Sequence, residues 1–226
     1  MNTMIKVARY HLVTPVLFVA PPWAALALAF AWNAARGGDT FRGGLIVFFG
    51  MFFVVGLQRI GRWLPFGLAL GMTRRSYYAG TALLGVSMSL VSGLVVAGLQ
   101  AVERATGGWG LSVTFFRVPY VLNGPWYATW LTSFVGLSAL FVYGMWYGIV
   151  NRRWGMLGLL AFIAVQVLIA LAVAFAYSRV GAGPLRLRPA GAYPATLSAL
   201  EVTGVIAALT VVCLAGGQAT IRRVTV

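Results

Sequence analysis

The chain has 226 residues, of which 61% are hydrophobic and 9% charged, and it carries a formal net charge of +14 with a mean hydropathy of +0.89. Soluble domains carry about 25% charged residues, so a water-soluble core is excluded and the length is better counted in membrane spans of roughly 20 residues. The positive charge does not mark a nucleic-acid binder, because the basic residues lie in short clusters between apolar runs and form no continuous stripe.

Six apolar segments follow in chain order, at about 12–32, 44–60, 77–101, 127–150, 155–177 and 199–219. Each is long enough to cross roughly 30 Å of hydrocarbon as a helix, and a helix satisfies its own backbone amides in lipid. The expected fold class is therefore all-α, an integral membrane protein with six transmembrane helices forming one domain over residues 1–226.

Met4 through Leu12, with Lys6, Arg9 and His11, suits either an amphipathic helix on the membrane surface or the start of the first span. The first segment contains Pro21-Pro22, which removes two donors and predicts a kink. Residues 33–43 form a short Gly-rich turn before the second segment.

Residues 59–76 break the apolar pattern with Arg59, Arg62, Arg74 and Arg75 and no acid. Pro65 suits the first turn of a short helix over 65–70. Gly71 suits a left-handed residue that ends it, and Thr73 suits the cap of the next helix. That arrangement leaves Arg74 and Arg75 exposed at the membrane edge. Lipid anchoring alone would account for the two arginines, but not for Pro65, Gly71 or the short helix.

Beyond the third segment, residues 102–126 space Trp109, Phe115, Phe116, Tyr120 and Trp126 among Gly and Pro, and such aromatics favour the membrane interface. The fourth segment holds Gly144-Met145-Trp146-Tyr147-Gly148, a GxxxG expected to pack two helices closely. Arg152 and Arg153 mark the turn into the fifth segment. Residues 178–198, rich in Pro, Gly and Arg, are expected to be irregular. Ser198-Ala199-Leu200-Glu201 has the form of a capping box opening the last segment.

With the N-terminus inside, ten basic residues fall on the inner side and seven on the outer, and the inner ones sit in tight pairs at helix ends. All three acids, Asp39, Glu103 and Glu201, fall on the outer side. Both termini are thereby assigned to the cytoplasm of a cell whose plasma membrane holds the chain. Arginine outnumbers lysine sixteen to one, a usage that suits a GC-rich bacterial genome. With one His, one Cys and no acid pair on a helix face, neither a catalytic set nor a metal site can be assembled. The lone Cys213 excludes an internal disulfide.

The run Pro65-Phe66-Gly67-Leu68-Ala69-Leu70-Gly71-Met72-Thr73-Arg74-Arg75-Ser76-Tyr77-Tyr78-Ala79-Gly80, set among six spans, resembles the type-2 permeases of ATP-binding-cassette (ABC) transporters. Tyr147-Gly148-Ile149-Val150-Asn151-Arg152-Arg153-Trp154-Gly155 is similar to that family's turn between spans four and five. The resemblance implies a coupling helix whose Pro65, Phe66, Leu70, Gly71, Thr73, Arg74 and Arg75 dock a cytoplasmic ABC ATPase. It also implies export activity and a homodimer or a related second permease as partner. No Gly-x-x-x-x-Gly-Lys-Ser/Thr string is present, so ATP and Mg would be bound by the separate ATPase and no cofactor by this chain. The alternative class is a non-transporting assembly or immunity protein that binds another integral protein through Gly-rich faces.

Overall fold

A computed structural model describes residues 16–36, 43–111, 113–118, 122, 125–180 and 199–221. His11, Asp39, Ser198 and the terminal arginines lie outside the described residues. Within them the chain is all-helical: α1 (Val16–Arg36), α2 (Gly44–Gly61), α3 (Leu64–Ala69), α4 (Arg74–Ala105), α5 (Trp126–Val180) and α6 (Ala199–Ile221). Four of these helices, α2, α4, α5 and α6, are long and apolar enough to cross a membrane, which makes this a membrane-embedded helical protein. The first helix, 21 residues long, continues through Pro21-Pro22.

A straight 55-residue helix would be about 80 Å long, but α5 is not straight. Gly155 breaks it with φ 65° and ψ −162°. The Phe162 ring stacks on Trp146 at 6.4 Å and meets Tyr147 edge-on at 5.2 Å. Tyr147 donates to Gln166 Oε1 at 2.8 Å, and the Tyr143 hydroxyl donates to the same oxygen. Each of these pairs straddles Gly155 nearly symmetrically, so residues 126–154 and 156–180 are antiparallel arms of one hairpin. The sequence places the turn within Tyr147–Gly155; the helix runs on through Asn151 to Trp154 and reverses at the last of these residues, Gly155. Only glycine enters that left-handed extended region freely.

Glycine also sets the packing. A Cβ on Gly144 would overlap the Phe53 carbonyl oxygen, and one on Gly148 would lie 2.7 Å from Ile60 Cβ. From the facing helix, a Cβ on Gly56 would overlap the Phe141 carbonyl oxygen, and one on Gly85 of α4 would fall onto the Phe141 ring. So α2 and the first α5 arm run parallel with backbones touching, and Phe141 fills the notch that α4 leaves. Around this seam lie the fully buried Phe48, Phe52, Ile60, Tyr77, Leu137 and Met145. The last helix attaches through polar contacts: Trp146 Nε1 donates to the Cys213 carbonyl at 2.6 Å, Tyr78 to that of Leu214 at 3.2 Å, and Thr132 pairs with Thr203 at 3.0 Å.

At the opposite end from α3, the 106–118 loop is fastened by α4. Glu103 is buried, and its Oε2 accepts the Phe115 and Phe116 amides at 3.1 and 2.9 Å and Trp109 Nε1 at 3.3 Å. Gln100 donates to the Phe116 and Leu122 carbonyls and accepts from Thr129 Oγ1 at 2.8 Å. This corrects the placement of Glu103 as an outer-loop acid: it is the buried anchor of that loop, in the last turn of its helix. Four consecutive residues, Gly107, Gly108, Trp109 and Gly110, have φ of 61°, 89°, 64° and 68°. For Trp109 this conformation costs about 1–2 kcal/mol, and its bonds to Thr106 Oγ1 and Glu103 hold it.

Because the seam leaves no room for a side chain, Gly144→Val should destabilise the protein by about 1–3 kcal/mol or more. Gly50→Ala, at a glycine facing open space on the same helix as Gly56, should be neutral or stabilising by up to about 1 kcal/mol. Unfolding followed by circular dichroism in detergent checks both.

Candidate functional site at the short helix

The connection between α2 and α4 takes the local form its residues suggest. Pro65 lies in the first turn of α3. Past the helix, Gly71 has φ 79°, its amide donates to the Leu68 carbonyl at 2.9 Å, and the Met72 amide reaches back to Gly67 at 3.2 Å. Those two bonds form a Schellman stop, which satisfies carbonyls the helix would otherwise leave open. Thr73 then caps α4, its Oγ1 accepting the Ser76 amide at 3.2 Å.

The short helix is held against the bundle by one aromatic residue. Tyr77 is fully buried and its hydroxyl donates to the Arg59 carbonyl at 2.9 Å. Gly67 lies over the Tyr77 ring so closely that a Cβ would come within 2.6 Å of it. The ring thus ties the end of α2, the middle of α3 and the first turn of α4 into one unit. Arg59, expected in an open basic segment, is instead 1% exposed. It belongs to the bundle and contributes nothing to the surface.

What remains at the surface is Phe66 and Leu70, both about half exposed, with Arg75 exposed and Arg74 half-buried. Phe66 and Leu70 are one turn apart on one face, and the Leu70 amide donates to the Phe66 carbonyl at 3.1 Å. Arg74 and Arg75 are the first two residues of a 32-residue helix. Two cations at a helix N-terminus oppose the macrodipole, at about 0.3–1 kcal/mol each. Folding does not favour them there. An anionic partner would.

The neighbouring basic pair behaves differently. Arg152 donates from Nε and Nη2 to the Gly61 carbonyl at 2.8 and 2.5 Å, which caps the C-terminal end of α2 from the α5 turn. Arg153 instead lies over the Trp154 ring at 4.5 Å. The sequence gives Arg152 only as one of a turn's two charges; its staple role connects residues 91 apart and has no local signature. Gln100 and Glu103 also escape a motif search, although two polar residues three apart at the end of an apolar run do share a helix face. Gly144 and Gly148 face α2 of the same chain.

Among the described residues no group of three His, Cys, Asp or Glu side chains could hold a metal ion. Comparison of the chain with protein-family models, curated proteins and solved structures finds no match.

Arg152→Glu removes both donors and turns a carboxylate toward the carbonyl end of α2, so it should cost about 1.5–3 kcal/mol. Arg153→Glu loses only a surface cation–π contact, at under about 1 kcal/mol. The two melting temperatures, measured side by side in detergent, check this ordering.

Proposed function

We propose that the chain is the permease subunit of an ABC transporter, an exporter powered by a separate cytoplasmic ATPase. The observation that carries the reading is the patch at the short helix. Phe66 and Leu70 expose apolar surface beside Arg74 and Arg75, whose position against the α4 dipole opposes folding and suits an acidic partner surface. The Schellman stop, the Thr73 cap and the Tyr77 tie make the connection stiff, as a lever between an ATPase and the spans requires.

In this reading the chain crosses the membrane six times, α1 being the first crossing and the two α5 arms the fourth and fifth. The α3 end and both termini face the cytoplasm of a bacterial cell. The chain works as a homodimer or beside a related permease, each copy docked on an ATPase that binds ATP and Mg. ATP-driven closure of the ATPases moves the Tyr77-tied unit as a rigid body and shifts the spans between inward- and outward-open arrangements. ATP biases that equilibrium only through its differential affinity for the two states. The competing reading is an assembly factor that binds another integral protein through Gly-rich faces; Gly56, Gly85, Gly144 and Gly148 are occupied by packing within the chain, which leaves it Gly50, Gly98 and Gly204, which face open space.

Arg74→Glu with Arg75→Glu should abolish co-purification of the ATPase and its substrate-stimulated hydrolysis, since each like-charge contact at a partly desolvated interface costs several kcal/mol. Arg153→Glu, which leaves the Arg152 staple intact, is the matched control and should retain most of both. Full activity in the Arg74/Arg75 double variant, or equal loss in the control, would overturn the docking assignment.

A further inference from the structure

A second feature lies at the opposite end of the bundle and goes beyond the permease reading, since it needs no ATPase. An open pocket of about 270 Å³ is lined by Trp23, Ala27 and Phe30 of α1, Leu99 of α4, and Trp109 and Phe116 of the 106–118 loop. Its wall is apolar: the one polar atom of Trp109 is turned away, donating to Glu103. Phe30 meets Trp109 and Phe115 edge-on at 5.4 Å each, which fixes the aromatic side of the wall.

The wall is held in place by unusual means. Trp109 stands in a left-handed backbone among three left-handed glycines, and a buried carboxylate fastens its ring nitrogen and the amides of Phe115 and Phe116. A bulky residue in a sparsely populated conformation persists only where surrounding contacts over-determine it, and such sites cluster at ligand clamps. Within a bilayer, a pocket offering no hydrogen-bond group takes hydrocarbon, because any polar occupant would lose its partners.

The elements that line the pocket carry exposed basic residues. Arg117 is exposed immediately after Phe116, Arg104 is exposed immediately after Glu103, and Arg36 is exposed at the end of α1 with its guanidinium 4.2 Å over Trp32. Against these three, the described acids at this end are Glu103, buried beneath the loop, and Glu201, in the first turn of α6. Guanidinium groups pair bidentately with phosphate, and basic clusters beside membrane helices recruit anionic lipid.

We infer that this pocket binds one acyl chain of an anionic phospholipid from the leaflet at the Trp109 end, with Arg36 and Arg117 meeting its headgroup.

The test uses the full chain reconstituted in phosphatidylcholine–phosphatidylglycerol vesicles containing a trace of either lipid with a diazirine in mid-chain. After photolysis, adducts are mapped by mass spectrometry. Phosphatidylglycerol probe should label Phe30 and residues 109–116 several-fold above Leu209 and Val212 on the exposed face of α6, and above the phosphatidylcholine probe at the same pocket. Ala27→Trp, or the smaller Ala27→Leu should the first not fold, should reduce pocket labelling several-fold while the α6 labelling stays. Arg36→Glu with Arg117→Glu should bring the two probes level at the pocket. Pocket labelling no higher than that of the α6 face would overturn the inference. So would equal labelling of the unaltered chain by the two probes, or labelling that persists when Ala27 is enlarged.

Discussion

The fold depends on backbone contact between α2 and the first arm of α5. In hydrocarbon there is no water to expel between helices, so association rests on close packing and on polar contacts. Gly56, Gly144 and Gly148 let two main chains touch along the seam, and Gly85 makes room for Phe141 from the third side. Once α2 and α5 are fixed in parallel, the ends of α2 are fixed too. Arg152 then reaches the Gly61 carbonyl, and Gly44 comes to lie against Asn33 and Phe115. Both ends of the molecule inherit their geometry from this one contact.

The two ends are built on opposite logics. At the α3 end, the chain spends specific local chemistry on a six-residue helix: a proline start, a left-handed glycine stop, a threonine cap and a buried tyrosine tie. The result is a stiff knob that presents apolar and basic side chains outward. At the other end, irregular backbone is gathered by two side chains of one helix, Gln100 and Glu103, which together accept or donate to five residues of the following segment and the start of α5. There the outcome is an aromatic wall around apolar space. The first is the surface proposed to dock a partner, and the second the site inferred to take hydrocarbon.

Much of the helical layout could be read from the sequence, because apolar length alone dictates helix in a membrane. The short helix was equally legible, since Pro65, Gly71 and Thr73 each act on neighbours within a few residues. What escaped the sequence was long-range. Arg59 looks like a loop charge until Tyr77 and α3 close over it, and Glu103 looks like a loop acid until the Phe115 and Phe116 amides turn back toward it. The reversal falls at Gly155, the last residue of the stretch that reads as a turn, because nothing in Asn151-Arg152-Arg153-Trp154 prevents helix and only the glycine permits the turn. Arg152 and Arg153 are indistinguishable as adjacent arginines, yet one staples two helices and the other covers an indole.

In the proposed function, the face carrying Phe66 and Leu70 seats a nucleotide-binding protein. The most direct measurement places a photoreactive amino acid at position 66 in the full chain, expressed in its native host, and irradiates intact membranes. The expected product is a cross-link to a soluble protein that is also labelled by a photoreactive ATP analogue, with none when the same probe replaces Leu111 at the opposite end. An adduct limited to lipid at position 66, or a protein adduct that binds no nucleotide, would contradict it.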